Sequence, residues 1–415
     1  MRVCIHRGTA EIGGTCIEIE ALGTRIVLDA GLPLIAGDTQ PASLLPPVPG
    51  FRDESPDLPT ILISHPHMDH AGLLRHIRPQ VPVMMGAAAK RILDTTAFWL
   101  GQPADDRPCR TWTSGQAHSL GPFTITPYLV DHSAYDAYAL LIEADGKRLF
   151  YSGDFRGHGR KQALFQQLLV GPPQPVDVLF MEGTVIGRDR EPVTFPTETE
   201  LEKTFHAHLQ AAQGITLLWT SAQNIDRLVT VYRAALRAGK TLVLDAFTAE
   251  MLRATGNPRI PQGDWSGIRV FFPYWMRRKI KVGRHFEVLE SYRANRIYLE
   301  ALAEHPSQYV LLFRPSMLAD VQRALPLAGM QLLYSHWDGY LREASSQALL
   351  AWLEEHGIPL HHVHTSGHAS VPDLQGFAQA LAPKKLVPIH SFQTSRFEEF
   401  FANVERKQDG VWWDV

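Results

Sequence analysis

Cysteine is scarce. Only Cys4, Cys16 and Cys109 occur in 415 residues. Three scattered thiols are too few for a disulfide framework or a thiolate metal site. Long apolar runs are also missing, and no stretch approaches the roughly 18 residues of a membrane span. The opening residues, MRVCIHRGTAEIGG, lack the apolar core of a signal peptide. A cytoplasmic protein is expected. Charge of one sign is missing too. The 40 Lys and Arg against 43 Asp and Glu leave a net −3, which gives no global pull toward nucleic acid. Any such binding must use a local patch. There is no internal repeat and no low-complexity tract. What is present is a hydrophobic content of 45% with 20% charge, the balance of a soluble protein with a large core. The length exceeds one ordinary domain, and two are expected.

Histidine is plentiful, and one stretch concentrates it. Residues 60–72 read TILISHPHMDHAG. Ile61, Leu62 and Ile63 suit a buried strand, because β-branched residues fit a pleated surface. His65 and His67 follow two apart, and in extended backbone i and i+2 point the same way. Two imidazoles can therefore converge on one point, with Pro66 stiffening the chain between them. Asp69 and His70 come where the chain bends and can serve a second point. Imidazole and carboxylate suit Zn²⁺ and similar ions. A lone histidine is usually structural, and 19 are spread along this chain. Three of them with an aspartate in six residues at a strand end form a metal-ligand pattern.

The rest of the chain alternates strands and helices. VCIHRG, CIEIEA and RIVLD read as strands, the last ending at Asp29. AGLLRHIR reads as a short helix stopped by Pro79, and residues 101–116 as loop. FTITPYLVDHSAYDAYALLIEA gives two strands flanking His132. KRLFYSGD ends at Asp154 and VDVLFMEGT at Glu182. Thr197-x-x-Glu200 is a capping box for a helix ending near Gly214. From there strands and helices alternate, which predicts a parallel sheet. KKLVPIH is a final strand ending at His390. The expected division is 1–194, an inserted unit over 195–355, and a return over 356–415.

His65-x-His67-x-Asp69-His70, followed in order by His132 and Asp154 at strand ends, resembles the metallo-β-lactamase superfamily. The inserted unit, Glu182, the Ser366-Gly367-His368-Ala369-Ser370 run and Pro388-Ile389-His390 resemble its β-CASP nucleases, of the ribonuclease J and RNA 3′-end-processing kind. The resemblance implies an α/β fold, an αββα sandwich with an inserted β-CASP α/β domain. It implies two divalent ions, Zn²⁺ with Mn²⁺ as alternative. His65, His67 and His132 would hold one; Asp69, His70 and His390 the other; Asp154 would bridge. Asp29 would orient the ligands from behind. Members acting on DNA-repair ends tend to carry valine where His390 stands, so His390 points to RNA.

The implied activity is a two-metal phosphodiesterase cleaving single-stranded RNA, with Asp69, His368 and Glu182 at its catalytic centre. A metal-bound water would be the nucleophile, and His368, held by Glu182, the general acid. FFPYWMRRKIKVGRH interleaves aromatics with Arg277, Arg278 and Lys281, as RNA binding requires; a solvated helix face is the plain alternative. His361, His362 and His364, at alternate strand positions, read as packing residues or as supports behind the ligands rather than as ligands. A metallo-hydrolase of a small ester or phosphodiester on the same fold is the competing function, since fold does not fix function. A homodimer is compatible with either.

Overall fold

The computed structural model describes residues 1–34, 39–187 and 194–415. It divides into two compact units. The first comprises Met1–Phe195 with Gly367–Val415, and the second Pro196–Ser366.

The first unit contains two sheets. The seven-stranded sheet runs in the order Trp412–Asp414, Arg2–Arg7, Cys16–Ala21, Thr24–Leu28, Thr60–Leu62, Val83–Gly86, Cys109–Trp112. The six-stranded sheet runs Lys385–Ile389, Val178–Glu182, Lys147–Tyr151, Tyr138–Ala144, Phe123–Leu129, His118–Leu120. Side chains alternate across each strand. Ile26 and Leu28 therefore share a core with Leu149, Tyr151, Phe180 and Ile389 from the other sheet, while Val27 and Phe150 point to the outer faces. Helix Ala87–Leu100 covers one outer face through Ala89. Helices Gln162–Val170 and Val371–Leu381 cover the other through Phe165, Leu374 and Phe377. Two sheets face to face under helices make the αββα sandwich.

Strand direction places the functional loops. Thr24–Leu28 and Thr60–Leu62 pair in parallel, as do Lys147–Tyr151, Val178–Glu182 and Lys385–Ile389. Within each set the carboxyl ends therefore lie along one edge of the sheet. Ligands in open α/β sheets bind beyond such ends.

The second unit is a seven-stranded sheet in the order Arg296–Ile297, Ile268–Phe271, Thr241–Asp245, Tyr309–Leu312, Thr216–Trp219, Gln331–Tyr334, Leu360–His362. Every pairing in it is parallel. Helix Glu198–Ala211 begins at the expected capping box, with Thr197 and Glu200 each accepting from the other's backbone N–H.

Some expectations change. The second unit continues to Ser366, past the return expected at residue 356. The reason is that Leu360–His362 adds to the second sheet, beside Gln331–Tyr334. Residues 71–78 do not form one helix. Helix Met68–Ala71 ends at Gly72, and a separate 3-10 turn covers Leu74–His76. The stretch read as loop contains the strand Cys109–Trp112.

Candidate metal centre

Every proposed ligand in the first unit follows a strand. His65 and His67 lie past Thr60–Leu62, and Asp69 and His70 open the short helix Met68–Ala71. His132 follows Phe123–Leu129, Asp154 follows Lys147–Tyr151, and His390 follows Lys385–Ile389. The loops are locked by backbone pairing: Ala30 N–H donates to His70 O at 2.8 Å and Leu32 N–H to Met68 O at 2.9 Å. Gly31 permits this approach, since a Cβ there would fall 1.8 Å from Asp69 O.

The structure brings these side chains into adjoining clusters. Donor atoms of His65, His67 and His132 lie within 4.8 Å of one another, and so do those of Asp69, His70, Asp154 and His390. Asp154 joins the two. Its Oδ2 lies 3.2 Å from His70 Nε2 and 3.8 Å from His65 Nε2, and its Oδ1 3.7 Å from His390 Nδ1. The side chains of His65, His70, His132, Asp154 and His390 are buried.

Hydrogen bonds behind the cluster fix the rings. His65 Nδ1 meets Ser64 Oγ at 3.0 Å, His70 Nδ1 meets Asp29 Oδ2 at 2.7 Å, and His390 Nδ1 meets Thr184 Oγ1 at 2.9 Å. His132 Nδ1 faces the carbonyl of Gly367 at 2.7 Å. That leaves the Nε2 edges of these rings turned toward the carboxylates. His67 differs, with its Nδ1 3.2 Å from His132 Nε2. Asp29 is the hub. Its Oδ1 accepts from Ser64 N–H at 2.7 Å, and its Oδ2 accepts from the Ser64 hydroxyl at 2.7 Å and the Tyr151 hydroxyl at 2.5 Å. Asp29 and His390 both adopt positive φ, +60° and +50°. Such backbone is uncommon outside glycine and persists where surrounding contacts over-determine it.

The donor set fits a divalent ion on one observation. His65 Nε2, His70 Nε2, His390 Nε2 and both Asp154 oxygens are buried without an aligned hydrogen-bond partner. Buried polar atoms are normally satisfied, and a group of exceptions calls for an explanation such as an ion. Electrostatics agree. Burial, with neighbouring imidazoles, holds His65 and His132 well below the usual imidazole value, and burial also lowers His67. Those three rings are neutral near pH 7, the form that ligates. Burial would lower His70 as well, but Asp154, Asp29 and Asp69 outweigh it and push it well above the usual value. Burial would raise Asp154, but the charges of His390, His70 and His368 hold it well below the usual carboxylate range.

These directions order metal loading by pH. A histidine with a raised pKa holds its proton to higher pH and competes harder with an ion. The cluster of Asp69, His70, Asp154 and His390 should therefore empty first as pH falls, and the three-histidine cluster later. Metal content after dialysis from about pH 8 to about pH 5 should fall in two steps; a single step would remove the ordering. Asp29→Ala should lower metal affinity by about 10- to 100-fold, as loss of ligand-orienting partners does. Competition against a chelator measures this.

Beside the clusters stands a carboxylate–imidazole pair. His368 Nδ1 lies 2.9 Å from Glu182 Oε2, and Phe155 N–H donates to Glu182 Oε1 at 2.9 Å. The His368 side chain is 20% exposed against 1% for Glu182. Sequence reasoning missed Ser64, Tyr151, Thr184 and the Gly367 carbonyl. Ser64 and Gly367 lie inside the motif runs but carry no ligand pattern of their own, and all four act through contacts only the fold creates.

Arg277, Arg278 and Lys281 lie in the second unit, exposed on helix Tyr274–Gly283. His361 packs on His208, with ring centroids 4.5 Å apart, and His362 stacks on His364 at 5.7 Å. These contacts suit packing residues. No helix among the described residues is long and apolar enough to cross a membrane.

An αββα sandwich with histidine and aspartate clusters at its strand ends defines a class of metal-dependent proteins. Residues 24–220 match the family described as "Beta-lactamase superfamily domain". Ribonuclease J of Mycobacterium tuberculosis is 26% identical over 259 residues, covering 58% of this chain and 43% of that protein. Ribonuclease J of Mycoplasma genitalium is 22% identical over 407 residues, covering 95% and 69%. This chain thus spans less than half the length of the M. tuberculosis relative. A crystal structure described as a protein of unknown function from Enterococcus faecalis V583 aligns with a TM-score of 0.81 at 21% identity, over 99% of both chains. That likeness shows the fold. Over residues 24–220 the chain is thus similar to the beta-lactamase superfamily domain, and over longer spans to ribonuclease J proteins.

Proposed function

We propose that this chain is a metal-dependent phosphodiesterase that cleaves RNA, a β-CASP ribonuclease. The observation that carries the reading is the set of unsatisfied buried donors converging on Asp154, beside the His368–Glu182 pair. His65, His67 and His132 would hold one ion and Asp69, His70 and His390 a second, Zn²⁺ or Mn²⁺, with Asp154 between them. The chemistry supplied by divalent ions in such a site is activation of water and clamping of phosphate oxygens. The chain's own residues do the rest. His368 donates a proton to the departing ribose oxygen, and Glu182 fixes the imidazole through Nδ1. Asp69 contributes a partly exposed carboxylate, 25% accessible, on the open side of the cluster. Support for RNA comes from His390, from the two ribonuclease J relatives and from the cationic helix of the second unit.

The test is incubation of the purified chain with end-labelled RNA, single-stranded DNA and a generic phosphodiester, with Mn²⁺ or Zn²⁺. RNA cleavage abolished by a chelator is expected. Hydrolysis of the small phosphodiester alone would replace this reading with the small-ester hydrolase.

A further inference from the structure

We infer that the second unit carries a pocket for a single nucleotide, its base among aromatic side chains and its phosphate on a cationic rim. A cavity of about 300 Å³ lies beyond the carboxyl ends of the strands Ile268–Phe271 and Arg296–Ile297. That volume sits at the small end of ligand pockets, which are mostly apolar with a few placed polar groups. The buried wall is Phe271, Phe272 and Ile280. Phe286 and Tyr298 also line it, yet stand 51% and 49% exposed. Clustered exposed aromatics of this kind mark binding sites.

The charged groups of the lining are all cationic. Arg277 and Lys281 are four residues apart on helix Tyr274–Gly283, so they share the face that Ile280 presents to the cavity. Arg278 is one step round the helix and does not line it. The basic residues that sequence grouped together therefore divide, and Arg296, which sequence did not single out, joins the lining pair. The Arg296 guanidinium lies 5.2 Å from the Tyr298 ring centroid, which holds it at the mouth. No carboxylate neutralises these three cations among the described residues. The acids of the neighbouring helix, Glu287 and Glu290, face His285 and Arg293. Three cations round one mouth suit a phosphate better than a single carboxylate. An aromatic wall suits a base, whose flat faces stack without regard to sequence.

The ligand is a base with a phosphate, free or within a strand. Its assignment to a strand rests on the RNA reading above. Adenosine monophosphate is the probe, titrated into the full chain by calorimetry, with a short oligouridylate titrated in parallel. Arg277→Ala/Lys281→Ala should weaken adenosine monophosphate at least about tenfold, and Phe286→Ala by about 5- to 100-fold, the range of one lost stacking contact. Arg278→Ala should leave that affinity unchanged. An azido-adenosine monophosphate should crosslink within residues 271–298, mapped by mass spectrometry. Parallel weakening of the oligouridylate assigns the pocket to the strand; weakening of the mononucleotide alone assigns it to a free nucleotide. Absence of mononucleotide binding, or equal binding in all variants without crosslinking here, overturns the pocket. RNA cleavage persisting in that case leaves the nuclease reading intact. Mononucleotide binding without any RNA cleavage does the reverse.

Discussion

His368→Ala is expected to keep its fold and metal content, bind RNA nearly normally, and lose turnover by about 10² to 10⁴-fold, the usual cost of a missing general acid. The geometry makes this a sharp test, because a second role is open to the same ring. Asp154, Glu182, His368 and His390 offer donor atoms within 4.8 Å of one another, so His368 can be read as a ligand. The hydrogen bond argues against that. Its Nδ1 is already engaged by Glu182 at 2.9 Å, and the ring is partly exposed where the His65, His70, His132 and His390 side chains are buried. A buried carboxylate behind an accessible imidazole is the arrangement of a proton donor held in one tautomer. Elemental analysis separates the two: a ligand variant loses metal and an acid variant does not. The leaving group supplies the second control. A ribose oxygen departs poorly without a proton, whereas nitrophenolate needs none. On a nitrophenyl phosphodiester, His368→Ala should recover most of the wild-type rate. Equal impairment on both substrates with metal retained would make His368 a geometric support. Glu182→Gln should show a milder loss, since it orients the ring rather than donating.

The site was legible where one residue type recurs at short spacing. His65, His67, Asp69 and His70 announce themselves because a strand end delivers alternate side chains to one side. His132, Asp154 and His390 were found only by resemblance. A single histidine or aspartate after a strand has a structural explanation as good as a functional one. The fold then brings residues more than 200 positions apart together, as with Thr184 and His390 at 2.9 Å. Asp29 marks the limit most clearly. Read alone it is a turn-forming carboxylate, and only the family resemblance gave it a ligand-orienting place. In the structure it takes φ +60° and gathers Ser64, His70 and Tyr151. The parallel sheet of the second unit was legible from alternation, but the place of its last strand was not. Leu360–His362 is three residues long and His-rich; its histidines were legible as strand positions, but nothing in the residues tied that strand to the second sheet.

Asp154→Ala is expected to remove one ion outright and weaken the other, leaving at most one per chain by elemental analysis and no measurable RNA hydrolysis. The carboxylate is the element common to both clusters. It reaches His70 at 3.2 Å on one side and His65 at 3.8 Å on the other, and the two oxygens face different rings. Removing a ligand from one cluster alone should act differently. His67→Ala takes a donor from the three-histidine cluster and should leave the ion among Asp69, His70 and His390 in place. Stability gives a readout independent of activity. An ion that binds only the folded state stabilises it by about 2.7 kcal/mol when present at 100 times its dissociation constant. Wild-type protein should therefore melt at higher temperature with Zn²⁺ than with a chelator, and Asp154→Ala should lose most of that difference. The substitution also alters the metal-free protein, because Asp154 is the foremost charge keeping His70 protonated. Without it the His70 pKa falls, and less proton must be displaced from that ring at neutral pH. Residual loading in Asp154→Ala should accordingly depend less on pH than in the wild type. Full loading of Asp154→Ala with two ions and intact activity would remove the shared-carboxylate assignment, and with it the two-metal reading of this site.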